Sequence, residues 1–137
     1  MTKLGVLLLL ATVLVGCDTQ SASRPSAAVK AQYEASFQEM LKDPGNPQTV
    51  MSYAAAATKA GDYEGAIGAY EGLLLVDSDL PRVKVELGIL YFRLKSYDVS
   101  RTNLEAALAS PSLPAELRAP TEKLLAKMPK QSKSSRT

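Results

Sequence analysis

The chain has 137 residues, with 16 Lys and Arg against 14 Asp and Glu, one cysteine, and neither histidine nor tryptophan. That length suits one small domain, and a formal net charge of +2 gives no electrostatic basis for nucleic-acid binding. Without an imidazole, and with a single thiol, the sequence lacks the usual nucleophile and base pair and any nitrogen–sulfur metal site, so neither enzymatic activity nor a cofactor is expected.

Residues 1–16 divide into a charged start with Lys3, an apolar run from Leu4 to Val15, and Gly16 ahead of Cys17. The run falls short of the roughly 20 apolar residues that cross a bilayer. It breaks at once into polar Asp18-Thr19-Gln20, which predicts an export signal rather than a permanent span. Leu14-Val15-Gly16-Cys17 resembles the lipobox of bacterial lipoproteins. The resemblance implies cleavage before Cys17, a diacylglycerol on its sulfur, and acylation of the new amino terminus. Two or three acyl chains hold far more firmly than one, at ~0.8 kcal/mol per buried methylene. The expected location is therefore a bacterial membrane, with the protein facing the periplasm. Asp18 is similar to an enteric inner-membrane retention signal, a rule other lineages do not follow, so the choice of membrane stays open. Residues 17–27, rich in serine, read as the lipidated cysteine and a flexible tether, of which the part from Asp18 reaches at most ~35 Å.

Residues 28–46 form a leading helical segment, with Val29, Tyr33, Phe37, Met40 and Leu41 on one stripe. Asp43-Pro44 closes it.

The next two segments, Pro47–Leu80 and Pro81–Pro114, align without a gap as units of 34 residues. Pro47 falls on Pro81, Ala54 on Gly88, Tyr63 on Tyr97, Ala66 on Ser100, Tyr70 on Leu104 and Leu73 on Ala107. Small residues suit helices that cross closely. Gly61 takes a left-handed turn cheaply, and Asp62 caps the helix that follows. In the second unit Lys95-Ser96 replaces Gly-Asp, so Ser96 is expected to cap while Lys95 makes the turn at a cost of ~1 kcal/mol. Both prolines suit a first helical position. Leu87-Gly88-x-x-Tyr91 and Gly61-Asp62-Tyr63-Glu64-Gly65-Ala66 resemble the tetratricopeptide repeat, TPR, whose period is 34. The resemblance implies an all-α fold, a superhelix of two full repeats between flanking half-repeat helices.

Residues 115–128 supply a closing helix that offers Leu117, Leu124, Leu125 and Met128 to the last repeat. Pro120 predicts a kink near Arg118 or a start at the proline itself. Residues 129–137, with Lys130, Lys133 and Arg136, read as a disordered basic tail.

Chemistry is sparse along this chain. Glu64 and Glu71 share a helix face, and Asp77 and Asp79 belong to a turn, which marks solvated charges and caps rather than two carboxylates facing each other across a cleft. Tail serines Ser132, Ser134 and Ser135 have no activating partner.

In TPR proteins the first helices of successive units line a concave face. Carried onto this chain, the groove positions are Gln48, Met51, Ala55, Thr58 and Lys59, then Arg82, Val85, Ile89, Phe92 and Arg93. Val85, Ile89 and Phe92 make an apolar strip between two arginines, suited to a peptide's apolar side chains and its acidic or C-terminal end. Alternatively the closing or leading helix covers that strip and makes it interior. Tyr91, Leu87, Leu90, Leu104 and Leu108 are assigned to the core. The resemblance implies a lipid-anchored adaptor that holds a protein or peptide in envelope assembly, secretion or transport. A pilotin-like secretin-assembly lipoprotein and a constitutive subunit of a membrane complex are the alternatives. Partner identity and oligomeric state stay open.

Overall fold

A computed structural model describes residues 24–129. The expectations for the signal segment, Cys17, most of the tether and the tail from Lys130 lie outside those residues.

Six helices follow one another: α1 (Ala27–Lys42), α2 (Pro47–Ala60), α3 (Tyr63–Val76), α4 (Pro81–Arg93), α5 (Tyr97–Ala109) and α6 (Ala115–Ala126). The described residues contain no strand, so the fold is all-α. Each helix packs on its chain neighbours, and α6 also reaches back to α4. The helical hairpins recur at the expected interval. Helices α2 and α4 begin at Pro47 and Pro81, and α3 and α5 at Tyr63 and Tyr97. The turns correspond as well, with positive φ at Gly61 (86°) and at Lys95 (61°).

Local chemistry sets these boundaries. The Asn46 side chain accepts a hydrogen bond from Gln48 N–H at 2.9 Å, and Pro47 enters α2 where its missing N–H is harmless. The Asp62 carboxylate accepts from Gly65 N–H at 2.9 Å. Ser96, by contrast, makes no side-chain cap on α5, contrary to expectation. The backbone closes both turns alike, through Ser96 N–H to Tyr91 O and Asp62 N–H to Ala57 O, each at 2.9 Å, so the two hairpins differ here only in the side-chain cap.

Two apolar cores divide the molecule. The first joins Val50, Tyr53, Ala54 and Ala57 of α2, Ala66, Tyr70 and Leu73 of α3, and Val83, Leu87 and Leu90 of α4. Tyr33, Phe37 and Met40 of α1 lean on it without being fully buried. Leu41, placed on the same stripe from sequence, instead points to solvent and is 53% exposed. The second core comprises Val85, Leu104, Ala107, Leu113 and Met128, roofed by Leu117, Leu124 and Leu125.

The small residues lie where helices approach most closely. Ala54, Ala66 and Ser100 have no exposed surface, and a Cβ on Gly88 would run into the Leu104 side chain. The Ser100 hydroxyl donates to Gly88 O at 2.6 Å, so the polar group buried at this crossing is satisfied.

Helix α6 is continuous through Pro120. Of the two alternatives expected from sequence, the late start at Pro120 does not occur, since the helix begins at Ala115. The proline falls in the second turn, where its missing N–H removes a single early bond. Arg118 then fastens α6 to α5, donating to Leu108 O at 3.1 Å and to Ser110 O at 3.0 Å at the carbonyl end of that helix.

Candidate functional site

The expected groove residues do not form one open face. Gln48, Ala55 and Lys59 are exposed on α2, and Met51 and Thr58 are half-buried. On α4 the strip turns inward. Val85 is 4% exposed inside the second core, with Ile89 and Phe92 packed against that core. Phe92 meets Tyr97 edge-on, ring centroids 5.5 Å apart. Helix α6 is the cover: its apolar side chains roof this core, and Glu116 lies 3.6 Å from the Arg82 guanidinium. The strip is therefore interior, the covered alternative, because Leu117, Leu124 and Leu125 of α6 pack across it.

The open concavity lies elsewhere. A pocket of about 470 Å³ runs between the end of α1, the start of α2 and the length of α3. Met40, Val50, Tyr53, Leu73, Val76 and Leu80 supply its apolar lining. Gly65, Gly68 and Gly72 give α3 a smooth edge along it. Gly65 has an internal reason, since a Cβ there would collide with the Asp62 cap. Gly68 and Gly72 have none. Among the described residues, no atom outside their own helix backbone and chain neighbours lies within 4 Å of where their Cβ atoms would stand. Glycine inside a helix costs about 1 kcal/mol relative to alanine, so these two leave volume vacant at a stability cost. Beside them Leu75 is 90% and Val76 89% exposed. Sequence inspection missed this trough because its glycines look like weak helix residues until their missing side chains are seen to border open space.

A second hollow, of about 650 Å³, gathers Arg24, Lys59 and Arg93 around Thr58, Gly61 and Tyr63. The Arg93 guanidinium sits over the Tyr63 ring, 6.0 Å from its centroid.

Tyrosines and one glutamate carry the perturbed protonation equilibria. The Tyr33 hydroxyl is pushed up by the neighbouring Tyr53 hydroxyl and by the Asp62 carboxylate, to which it donates at 2.9 Å. Burial, with help from the Glu86 charge, lifts Tyr70 to about 12. Tyr91 also reaches about 12, chiefly because its hydroxyl donates to Glu71 at 2.6 Å. Burial raises Glu86, opposed by Arg82 and Arg93. Tyr33 lies on α1, Tyr70 on α3, and Glu86 and Tyr91 on α4. Glu64 is an exposed charge, Asp77 accepts from Asp79 N–H at 2.9 Å within its turn, and Asp79 accepts from the Ser110 hydroxyl at 3.2 Å. Among the described residues no cluster of His, Cys, Asp and Glu could hold a metal ion, and no helix is long and apolar enough to cross a membrane.

No protein-family model matches the chain, and no curated protein is detectably similar to it.

Proposed function

We propose that this is a non-catalytic adaptor of the bacterial envelope, a short TPR-type array tethered through lipid on Cys17, which holds an apolar helical segment of a partner protein in the trough between α1 and α3. The observation that carries the proposal is the vacant edge of α3. Gly68 and Gly72 keep open a volume that no described residue fills, beside exposed Leu75 and Val76. From Gly65 to Val76 the edge runs about 16 Å, three turns of helix at 1.5 Å per residue. Glycines one turn apart admit a second helix at close range, and its apolar side chains fit the Met40, Val50 and Leu73 lining.

The repeat reading is supported by the 34-residue recurrence of helix starts and turns. The groove of the initial expectation contributes less, since α6 covers Val85, Ile89 and Phe92.

Photocrosslinking from residue 75 in living cells, followed by mass spectrometry, tests the proposal. A discrete adduct with one envelope protein, lost in a Gly68→Leu variant that fills the trough, is the expected result. Adducts unaffected by Gly68→Leu, or none at all, would reject it.

A further inference from the structure

We propose that the hollow formed by Arg24, Lys59 and Arg93 binds the phosphate groups of anionic phospholipids and holds this end of the molecule against the bilayer. The three cations come from separate places: the segment before α1, the last turn of α2 and the last turn of α4. They converge on one open hollow of about 650 Å³. Lys59 and Arg93 each offset the dipole of the helix they end. That accounts for each alone, but not for their meeting Arg24, which belongs to no helix.

Neighbouring carboxylates leave the hollow positive. Among the described residues the ion pairs are Lys42 with Glu39 and Arg82 with Glu116, and neither involves these three cations. The Asp62 carboxylate, its oxygens engaged by the Tyr33 hydroxyl and Gly65 N–H, sets one negative charge against three positive ones. Glu86 acts on Arg93, but it is half-buried and shared with Arg82. Stacking on Tyr63 steadies the Arg93 guanidinium while leaving its N–H donors available for a phosphate.

Lipid is favoured over free phosphate by the position of Arg24, seven residues beyond Cys17 and thus within about 25 Å of that sulfur. This choice rests on the reading of Cys17 as acylated. Leu94, next to Arg93 and 44% exposed, adds an apolar side chain near the same surface.

The test uses the mature chain from residue 17 with Cys17→Ser, which keeps every residue of both cores and removes the anchor's own affinity. Its sedimentation is measured with vesicles of phosphatidylglycerol and phosphatidylcholine, and with phosphatidylcholine alone. Binding only to the anionic vesicles, weakened by salt, is expected. The triple variant Arg24→Gln, Lys59→Gln, Arg93→Gln should bind about a hundredfold more weakly with its helical circular dichroism intact. If the triple variant misfolds, Arg24→Gln and Lys59→Gln, both at exposed sites, should each cost roughly fivefold. Equal binding to neutral vesicles would overturn the proposal, as would affinity unchanged by the substitutions or abolished by Lys130→Gln, Lys133→Gln and Arg136→Gln instead. Displacement by inorganic phosphate would make this a free-anion site. Stronger binding to polyglutamate would make it an acidic-protein site. Gly68→Leu should leave vesicle binding unchanged, so failure here and failure of the adaptor reading are separable.

Discussion

At Lys95 the chain adopts φ of 61°, a left-handed conformation that a side chain with Cβ resists, while Gly61 takes 86° at the matching turn of the first hairpin. The two positions therefore respond oppositely to exchange. Gly61→Ala should destabilise by about 1 kcal/mol, and Lys95→Gly should stabilise by up to about 1 kcal/mol, both read from urea unfolding midpoints. Protonation offers a second test at this scale. Folding raises Tyr70 and Tyr91 from 10.0 to about 12, so their protonated forms are favoured in the native state. Their contribution is complete below pH 10 and lost as pH rises through 12. Stability should fall across that window. With six tyrosines and no tryptophan, the tyrosinate absorbance reports these ionisations cleanly. Glu86 is likewise raised, so its charged form weakens the fold at neutral pH, a penalty that disappears as pH falls below its unfolded value of 4.5. Glu86→Gln should raise the melting temperature at neutral pH, lose that advantage in acid, and lower the Tyr70 value by removing the charge beside it.

At the scale of elements, three helical glycines separate by what surrounds them. Gly88 allows α4 to cross α5, because a Cβ there meets Leu104 and the Ser100 carbonyl. Gly88→Ala should cost 1–3 kcal/mol in unfolding free energy, roughly the penalty for overpacking a close contact. A Cβ on Gly68 or Gly72 meets no other described residue. Gly68→Ala with Gly72→Ala should stabilise α3 by about 1–2 kcal/mol in total, by the helix propensity of alanine, while weakening partner capture in the crosslinking assay. A stabilised variant with undiminished capture would remove the trough from consideration. The sequence made much of this level legible. The matching of Ala54 with Gly88 and of Ala66 with Ser100 marks close crossings, and the prolines mark helix starts. The start of α6 after Pro114 was legible, but its uninterrupted run through Pro120 was not, since it rests on tertiary contacts such as Arg118 holding the α5 carbonyls.

For the whole molecule, the two cores meet along α4, which gives Leu87 and Leu90 to one and Val85 to the other. Loss of α6 would expose Val85, Ile89 and Phe92 together. A chain truncated after Ser112 should therefore unfold at lower urea than the full chain and bind a hydrophobic dye at the uncovered α4 face. Intact mass of protein extracted from bacterial membranes tests the anchor independently. A mature chain beginning at Cys17 with a covalent diacylglycerol is expected, and an unmodified chain that retains residues before Cys17 would exclude the lipoprotein reading.

The amino-acid sequence by itself determined the helical hairpins, their 34-residue spacing, their turns and the small residues between them, because these depend on local periodicity and on which side chains fit a tight turn or crossing. Only the tertiary structure decided which apolar surface is covered and which is open. Val85, Ile89 and Phe92 on one side, and Val76 with its glycine neighbours on the other, carry equally apolar signals along the chain. Helix α6 arrives over the first set from about 30 residues away, whereas no described helix covers the second.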